Sequence, residues 1–478
     1  MKILLVNPPY TNNVYSGFKP AVQVQIPLGL AYIASALDQG EGTVEVLDAN
    51  AENLSLDATI ARINSSNADA VGITTVTPIM HIVSAIAAGL RRRPGRKIIV
   101  GGPHATFFPE ETLRQNPNID IVVIGEGEDT AAELLSREFT GLDRIRGIAY
   151  RDTPGIRINE KRDRIEDLDR VPFPARHLFK LELYRQGALW NIGIENRRVM
   201  TLITSRGCPS RCSYCSSLAF WGPRVRFRSV ENIVNEIAHL QAAYDAKQIA
   251  IFDDTFLANY SRVHAFCDAL LDRGIDIHWW CYGKLDRPYP AAMLKKMKRA
   301  GCFGLNFGVE SGNQQILDGV SKNIKLPVVE EIVRSVHKEG FLIMSSFMVG
   351  LPGDTETTVR QTIDFSIRLN PHIAQYCITT PFPGTELYDM ARRKGWMEGV
   401  ASWSEVGEHQ DTKFRNDDLS SGQINALYKL AHRKFYFRPG YFFLLLRRFI
   451  RHPRELKGFL LAGIYMVTDN FGGGSHEK

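Results

Sequence analysis

The stretch that decides the fold reads Val199-Met200-Thr201-Leu202-Ile203-Thr204-Ser205-Arg206-Gly207-Cys208-Pro209-Ser210-Arg211-Cys212-Ser213-Tyr214-Cys215. An apolar, β-branched run ends in small polar residues and a glycine, the pattern of a buried strand running into a tight loop. Three cysteines follow in a C-x3-C-x2-C arrangement. Three thiolates on one loop can each take one iron of a cubane cluster and leave the fourth iron without a protein ligand, open to a small molecule. Structural zinc would want four ligands from paired knuckles. The remaining cysteines, Cys267, Cys281, Cys302 and Cys377, are scattered over separate elements. An odd total of seven, three of them clustered and none in the first 207 residues, excludes a disulfide framework and fits a reducing cytoplasm.

Downstream of the cysteines, strand-like runs recur at Gln248 to Asp253, Ile275 to Tyr282, Phe303 to Glu310, Phe341 to Val349 and Ile373 to Thr379. Helix-patterned segments lie between them at Val230 to Tyr244, Ser261 to Asp272, Ala291 to Ala300, Leu326 to Lys338 and Glu356 to Arg368. With Val199 to Ser205 as the first strand, this predicts an open, partial barrel of six βα units. The functional residues belong at the C-terminal strand ends. Trp279 and Trp280 read as barrel core.

Upstream, five short strands alternate with helices: Lys2 to Val6, Thr43 to Leu47, Ala70 to Thr75, Lys97 to Val100 and Ile119 to Ile124. This predicts a doubly wound, Rossmann-like parallel sheet. Its strand ends are Asn7-Pro8-Pro9, Asp48-Ala49, Thr74 to Pro78, Gly101-Gly102-Pro103-His104 and Gly125-Glu126-Gly127-Glu128, a concentration of special backbone that marks a cleft. The α/β chain therefore divides into a first domain at 1–148, a strap rich in Arg, Asp and Pro at 149–195, a barrel at 196–405 and a C-terminal helical region at 406–478.

With Tyr214 before the last cysteine, the motif resembles that of the radical S-adenosylmethionine enzymes, and the two-domain order is similar to their cobalamin-binding members. That group includes methylases of unactivated carbon and the anaerobic magnesium-protoporphyrin ester cyclases. The resemblance spans residues 1 to about 400. It implies a 4Fe-4S cluster on Cys208, Cys212 and Cys215 that chelates S-adenosylmethionine and cleaves it to a 5′-deoxyadenosyl radical. It also implies contacts to that cofactor from Tyr214, from Glu310 and Ser311 in Gly308-Val309-Glu310-Ser311-Gly312, and from the loops around Gly350 and Pro383. Phe252-Asp253-Asp254-Thr255 stands where the family carries G-G-E, so the role of accepting from the cofactor's ammonium group passes to Asp253 and Asp254. Cobalamin would lie against Asn7, Pro8, Thr75, Gly101, Gly102, His104, Gly125, Glu126 and Gly127. The D-x-H-x-x-G motif of other cobalamin domains is absent, which leaves His104 as a candidate lower ligand of cobalt.

Methyl transfer to an unactivated carbon is the function this resemblance implies, with oxidative cyclisation or rearrangement as the alternative on the same cofactors. The substrate is a small molecule, and the electron comes from an external reductant of flavodoxin or ferredoxin type. Methylthiolation of transfer RNA would need further cysteines in the first domain. A cobalamin sensor or electron carrier would leave the six βα units unexplained.

The formal charge of +6 is not spread over the chain. Between Ala431 and Lys457, eight basic residues against one acidic give +7, so the remainder carries −1 and offers no nucleic-acid surface. The basic residues flank Phe435-Tyr436-Phe437, Tyr441 to Leu446 and Phe449-Ile450, a composition suited to lying on an anionic membrane or to packing on the barrel. The apolar stretches fall short of the roughly 18 residues of a transmembrane helix. The expectation is a cytoplasmic protein with peripheral contact to the inner membrane face.

Overall fold

A computed structural model describes residues 1–10, 24–39, 42–90, 93–153, 155–184, 199–408 and 412–451. In the N-terminal part, β1 (Lys2–Asn7), β2 (Thr43–Asp48), β3 (Ala70–Thr74), β4 (Lys97–Gly101) and β5 (Ile121–Val123) are parallel, in the order β2-β1-β3-β4-β5. Their Val, Ile and Leu side chains are buried on both faces, one against helices Leu56–Ser65 and Met80–Gly89, the other against helices Leu28–Leu37 and Glu128–Ser136. The strand order reverses between β1 and β3, which opens a crevice at their C-terminal ends.

Two strands continue this sheet where the sequence reads as a strap: β6 (Ile148–Asp152), antiparallel to β5, and β7 (Gly155–Ile158), antiparallel to β6. The stretch 149–195 is thus not wholly a connector, and the first domain extends past 148. Its charged, proline-punctuated composition hides two strands: β7 is the exposed edge of the sheet, where charge is tolerated, and β6 lies inside it with Ile148, Ala149 and Tyr150 buried. The rest of the described strap, to residue 184, is anchored by Ile165, Leu168 and Val171 packing on Leu28 and Tyr32.

The second sheet has six strands, all parallel: β8 (Val199–Leu202), β11 (Gln248–Ile251), β12 (His278–Gly283), β13 (Cys302–Glu310), β14 (Leu342–Val349) and β15 (Ile373–Ile378), in that spatial order. Between β8 and β11, β9 (Ser205–Arg206) and β10 (Arg226–Phe227) form a short antiparallel hairpin whose connection carries the three cysteines. Helices Val230–Tyr244 and Leu326–Lys338 keep the limits read from their apolar periodicity. Trp279 faces outward against helices Tyr260–Asp272 and Ala291–Arg299, its ring 5.3 Å from that of Phe266 and its Nε1 donating to the Ala300 carbonyl at 2.7 Å. Trp280 points into the lumen, its ring 5.4 Å from that of Phe252 and 5.6 Å from that of Tyr282.

A parallel sheet that does not close leaves two edges, here β15 and β8, and at the β8 edge charged groups take the place of a further strand. Arg176 donates to the Thr201 carbonyl at 2.7 Å and Arg228 to the Ile203 carbonyl at 3.0 Å. Glu236, fully buried, pairs with both guanidinium groups at 2.7 and 2.5 Å. The strap and the first outer helix together seal the edge.

Helix Ser421–Tyr436 packs on β15 and on helix Glu356–Leu369, and the Tyr436 hydroxyl donates to the Ala374 carbonyl at 2.8 Å. Helix Pro439–Arg451 crosses the opposite end of the barrel from the cysteines, with Leu445 and Phe449 against Phe303, Leu342, Met344 and Ile373. The tail expectation therefore divides by face: one side is barrel floor, while Phe442, Phe443, Leu446 and Ile450 are 56–74% exposed. Residues 452–478, including Arg454, Glu455 and Lys457, lie outside the described residues.

Candidate active site

Gly207 opens the cysteine loop at φ +102, where a Cβ would strike the Arg224 carbonyl at 2.7 Å, so the hairpin stems can approach this closely only with glycine. Cys208 and Cys212 are half-buried and Cys215 is exposed; all three are free thiols. The Cys215 amide donates to the Cys212 carbonyl at 3.1 Å, closing a turn. Among the described residues no three His, Cys, Asp or Glu side chains converge on one metal-ion position, and three thiols that each take a different iron have no need to. Tyr214 is half-buried beside Cys212 and its ring lies 5.9 Å from the Lys322 ammonium.

The strand ends around this loop treat the expected cofactor residues unequally. Asp253 is buried and accepts from the Thr204 amide (2.6 Å) and hydroxyl (2.5 Å) and from the Ser205 amide (3.1 Å) and hydroxyl (2.6 Å). With its lone pairs so taken, it is a clamp on the root of the cysteine loop. Asp254 is exposed, accepts from the Ser217 hydroxyl at 2.6 Å, and places its charge beside Cys215. Neither aspartate caps the next helix; Asn259 does, accepting from the Arg262 amide at 3.0 Å.

Glu310 ends β13 after a register shift, in the left-handed region at φ +69, and pairs with Lys322 at 2.7 Å. Burial alone would lower the lysine; Glu310 and Cys212 hold it above its ordinary value. Burial raises the Cys212 thiol, and the ammonium opposes that rise. Ser311 turns inward to Thr362 at 3.1 Å and to the Asn313 amide at 3.1 Å, away from the barrel mouth. The Gly350 amide donates to Asp354 at 3.0 Å, as does that of Leu351 at 2.9 Å, and Asn416 donates to the carbonyls of Leu351 and Asp354. Pro383 is buried in a loop whose Gly384 lies against Phe107, where a Cβ would overlap the ring at 2.4 Å.

In the first domain a largely apolar cavity of about 320 Å³ opens between the sheet and helices Leu28–Leu37 and Glu128–Ser136. Gly101, Gly102, Gly125, Glu126 and Gly127 line it, as expected; Asn7, Pro8, Thr75 and His104 do not. Gly102 sits at φ +114, and a Cβ there would meet the Thr75 carbonyl at 2.5 Å. Asn7 donates to Asp48 at 2.8 Å and Thr75 donates to the Gly101 carbonyl at 3.0 Å, bracing the rim. Pro8 is buried next to Asn7. His104 is buried, with Nδ1 3.2 Å from the Thr77 hydroxyl and its ring against Phe108 and Trp403; burial pushes the imidazole down to about 4.

The cavity is roofed from the second domain by Ile203, Arg206, Phe220 and Trp221, residues that sequence reasoning passed over. No local pattern marks Arg206, because its partners lie about 80 positions away: Glu126 at 2.5 Å and Glu128 at 2.5 Å. An apolar cavity over the sheet face, cradled by the glycines at the ends of β4 and β5, fits a large, flat cofactor, and three free thiols on one loop fit an iron-sulfur cluster.

Two family models match the chain, the B12 binding domain over residues 20–135 and the Radical SAM superfamily over residues 202–366. An uncharacterized methyltransferase of Pyrococcus horikoshii is 34% identical over 92% of this chain and 93% of its own length. The anaerobic magnesium-protoporphyrin IX monomethyl ester cyclase of Rubrivivax gelatinosus is 28% identical over 81% of this chain and 69% of its own length. Among solved structures, the cobalamin-dependent S-adenosylmethionine radical enzyme OxsB, with aqua-cobalamin and S-adenosylmethionine bound, shares the fold at TM-score 0.71 and 18% identity, over 96% of this chain and 72% of that one. The chain belongs to the B12-binding radical S-adenosylmethionine family. Within that family it is a methyltransferase-like enzyme using cobalamin, a 4Fe-4S cluster and S-adenosylmethionine.

Proposed function

We propose that the protein methylates an unactivated carbon of a hydrophobic small molecule. The observation that carries this reading is the cavity of the first domain, whose roof is built from the stems of the cysteine loop. When bound, the cluster supplies the electron that cleaves S-adenosylmethionine, and cobalamin supplies the methyl group. Cys208, Cys212 and Cys215 hold the cluster. Asp254, exposed beside Cys215, accepts from the ammonium group of S-adenosylmethionine, and Glu310, held by Lys322, faces the same end of the barrel. Asp253 and Ser311 fix the backbone around them. Gly101, Gly102, Gly125 and Gly127 admit the cobalamin, and Phe220 and Trp221 exclude water from between the two cofactors.

Anaerobic reconstitution should yield about four irons per chain and one cobalamin, and the triple substitution of the cysteines by alanine should abolish the iron. Incubation with methyl-labelled S-adenosylmethionine and cell extract then decides the reaction: a product carrying the label supports methylation. A cyclised or rearranged product without label would replace this reading with the cyclase one, which the Rubrivivax relative favours.

The reductant is of flavodoxin or ferredoxin type. The protein works at an anionic membrane surface. Five of the nine exposed large hydrophobics among the described residues are Phe437, Phe442, Phe443, Leu446 and Ile450, beside Arg447. No described helix is long and apolar enough to cross a membrane. Co-sedimentation with vesicles containing phosphatidylglycerol should fall several-fold in a variant with Phe442, Phe443, Leu446 and Ile450 changed to serine. Unchanged partition would rule out this face.

A further inference from the structure

The hairpin of β9 and β10 encloses the cysteine loop, and Arg206 and Arg226 stand opposite each other on its two strands. One carboxylate from the cobalamin domain staples both stems: Glu126 Oε1 accepts from Arg206 at 2.5 Å and Oε2 from Arg226 at 2.7 Å. Glu128, the first residue of its helix, takes the second fork of Arg206 at 2.5 Å. All four side chains are at most 9% exposed, and their formal charges cancel. The Arg206 guanidinium also lies between the rings of Tyr32, in the first domain, and Trp221, at the end of the cysteine loop, 5.4 and 5.3 Å from their centroids. The strap joins the same knot, with the Ile165 amide donating to Glu126 at 3.0 Å and Arg226 donating to the Ile165 carbonyl at 2.5 Å.

This knot is also a wall. Glu126, Glu128, Arg206, Phe220 and Trp221 all face the 320 Å³ cavity, so a molecule filling it touches the base and the end of the loop that carries Cys208, Cys212 and Cys215. A buried bidentate arginine held by two carboxylates has few alternative geometries, so it transmits position instead of absorbing it.

We propose that Glu126 and Arg206 are positioning residues that join cobalamin binding and order in the cysteine loop into one linked equilibrium. Occupation of the cavity presets the loop for its cluster, and the cluster-bearing loop holds the cavity roof closed over cobalamin. By linkage the factor is the same in both directions. The inference rests on the chain binding both cofactors, as its family does, and not on methyl transfer.

The test is the affinity for hydroxocobalamin, followed anaerobically by absorbance, of the full chain with its cluster and after chelation of the iron. That hydroxocobalamin binds at all tests the functional reading; the ratio of the two affinities tests the joint. The wild type should bind at least about fivefold more tightly with the cluster. In Glu126→Gln the ratio should fall to about one, and Glu126→Asp should restore part of it. Hydrogen exchange of residues 207–225 should slow on adding hydroxocobalamin to the cluster-free wild type and not in the Gln variant. If Glu126→Gln fails to fold, Arg206→Lys and Trp221→Ala carry the same expectation, since each leaves one side of the knot in place. A wild-type ratio near one, or an undiminished ratio in folded variants, overturns the proposal.

Discussion

Asp253 and Asp254 are adjacent carboxylates with opposite duties, and only their surroundings separate them. Asp253 satisfies four donors at the root of the cysteine loop. Asp253→Asn should therefore cost about 2–4 kcal/mol of stability in chemical denaturation, because buried hydroxyls and amides lose a charged acceptor. Asp254→Asn should leave stability within about 0.5 kcal/mol and weaken S-adenosylmethionine binding in the cluster-loaded protein. Equal stability losses in the two variants would contradict this division. Asp354 offers a pH signature. Burial raises its carboxyl to about 6 despite the donors from Thr358, Leu351 and Gly350. In the window from about 4 to about 6 the folded state binds more protons than the unfolded one, so the stabilising contribution is complete below about 4 and is lost as pH rises through about 6. The melting temperature of wild type relative to Asp354→Asn should fall as pH rises from 4 to 7, and a flat difference would sink the assignment.

At the scale of elements, the open edge of the barrel is the feature that needs explaining. β8 has one neighbour in its sheet, and its outer carbonyls are met by Arg176 from the strap and Arg228 from beyond β10. Glu236 neutralises both from the first outer helix. Glu236→Ala leaves two guanidinium groups buried without a counter-charge, an expected loss of about 3–5 kcal/mol by urea denaturation. Arg176→Met with Glu236→Leu should lose less than the single Glu236→Ala change, because only Arg228, and not both guanidinium groups, is then left without Glu236. The elements themselves were largely legible. β13 and β14 begin and end within a residue of their apolar runs, since a parallel strand buried on both faces carries its own signature. β6 and β7 were not legible, because β7 is a mostly exposed edge strand that reads like loop and β6 offers only the three buried residues Ile148 to Tyr150 before its charged end.

Among the described residues, two clusters of side chains join the cofactor domains. One is the carboxylate staple on Arg206 and Arg226. The other is an aromatic clasp: Phe107 against Gly384 and Phe220, Phe108 against Tyr388 and Trp403, and His104 against Trp403. The clasp gives His104 a duty other than cobalt ligation. His104→Phe should leave the electron paramagnetic resonance spectrum of bound cob(II)alamin unchanged; loss of a nitrogen splitting in that variant would reverse the conclusion.

Some of this was decided by sequence alone. The three cysteines are close in the chain, so their chemistry is readable from spacing, and so are the six βα units whose periodicity is local. The glycines at the strand ends likewise mark a cleft wherever the strands are placed. Tertiary structure decided which aspartate is exposed, where His104 points, which face of the last helix is covered, and that Arg206 meets Glu126. Each of these depends on pairs far apart in the chain, and a buried carboxylate or imidazole takes its role from the groups that folding brings within hydrogen-bond reach.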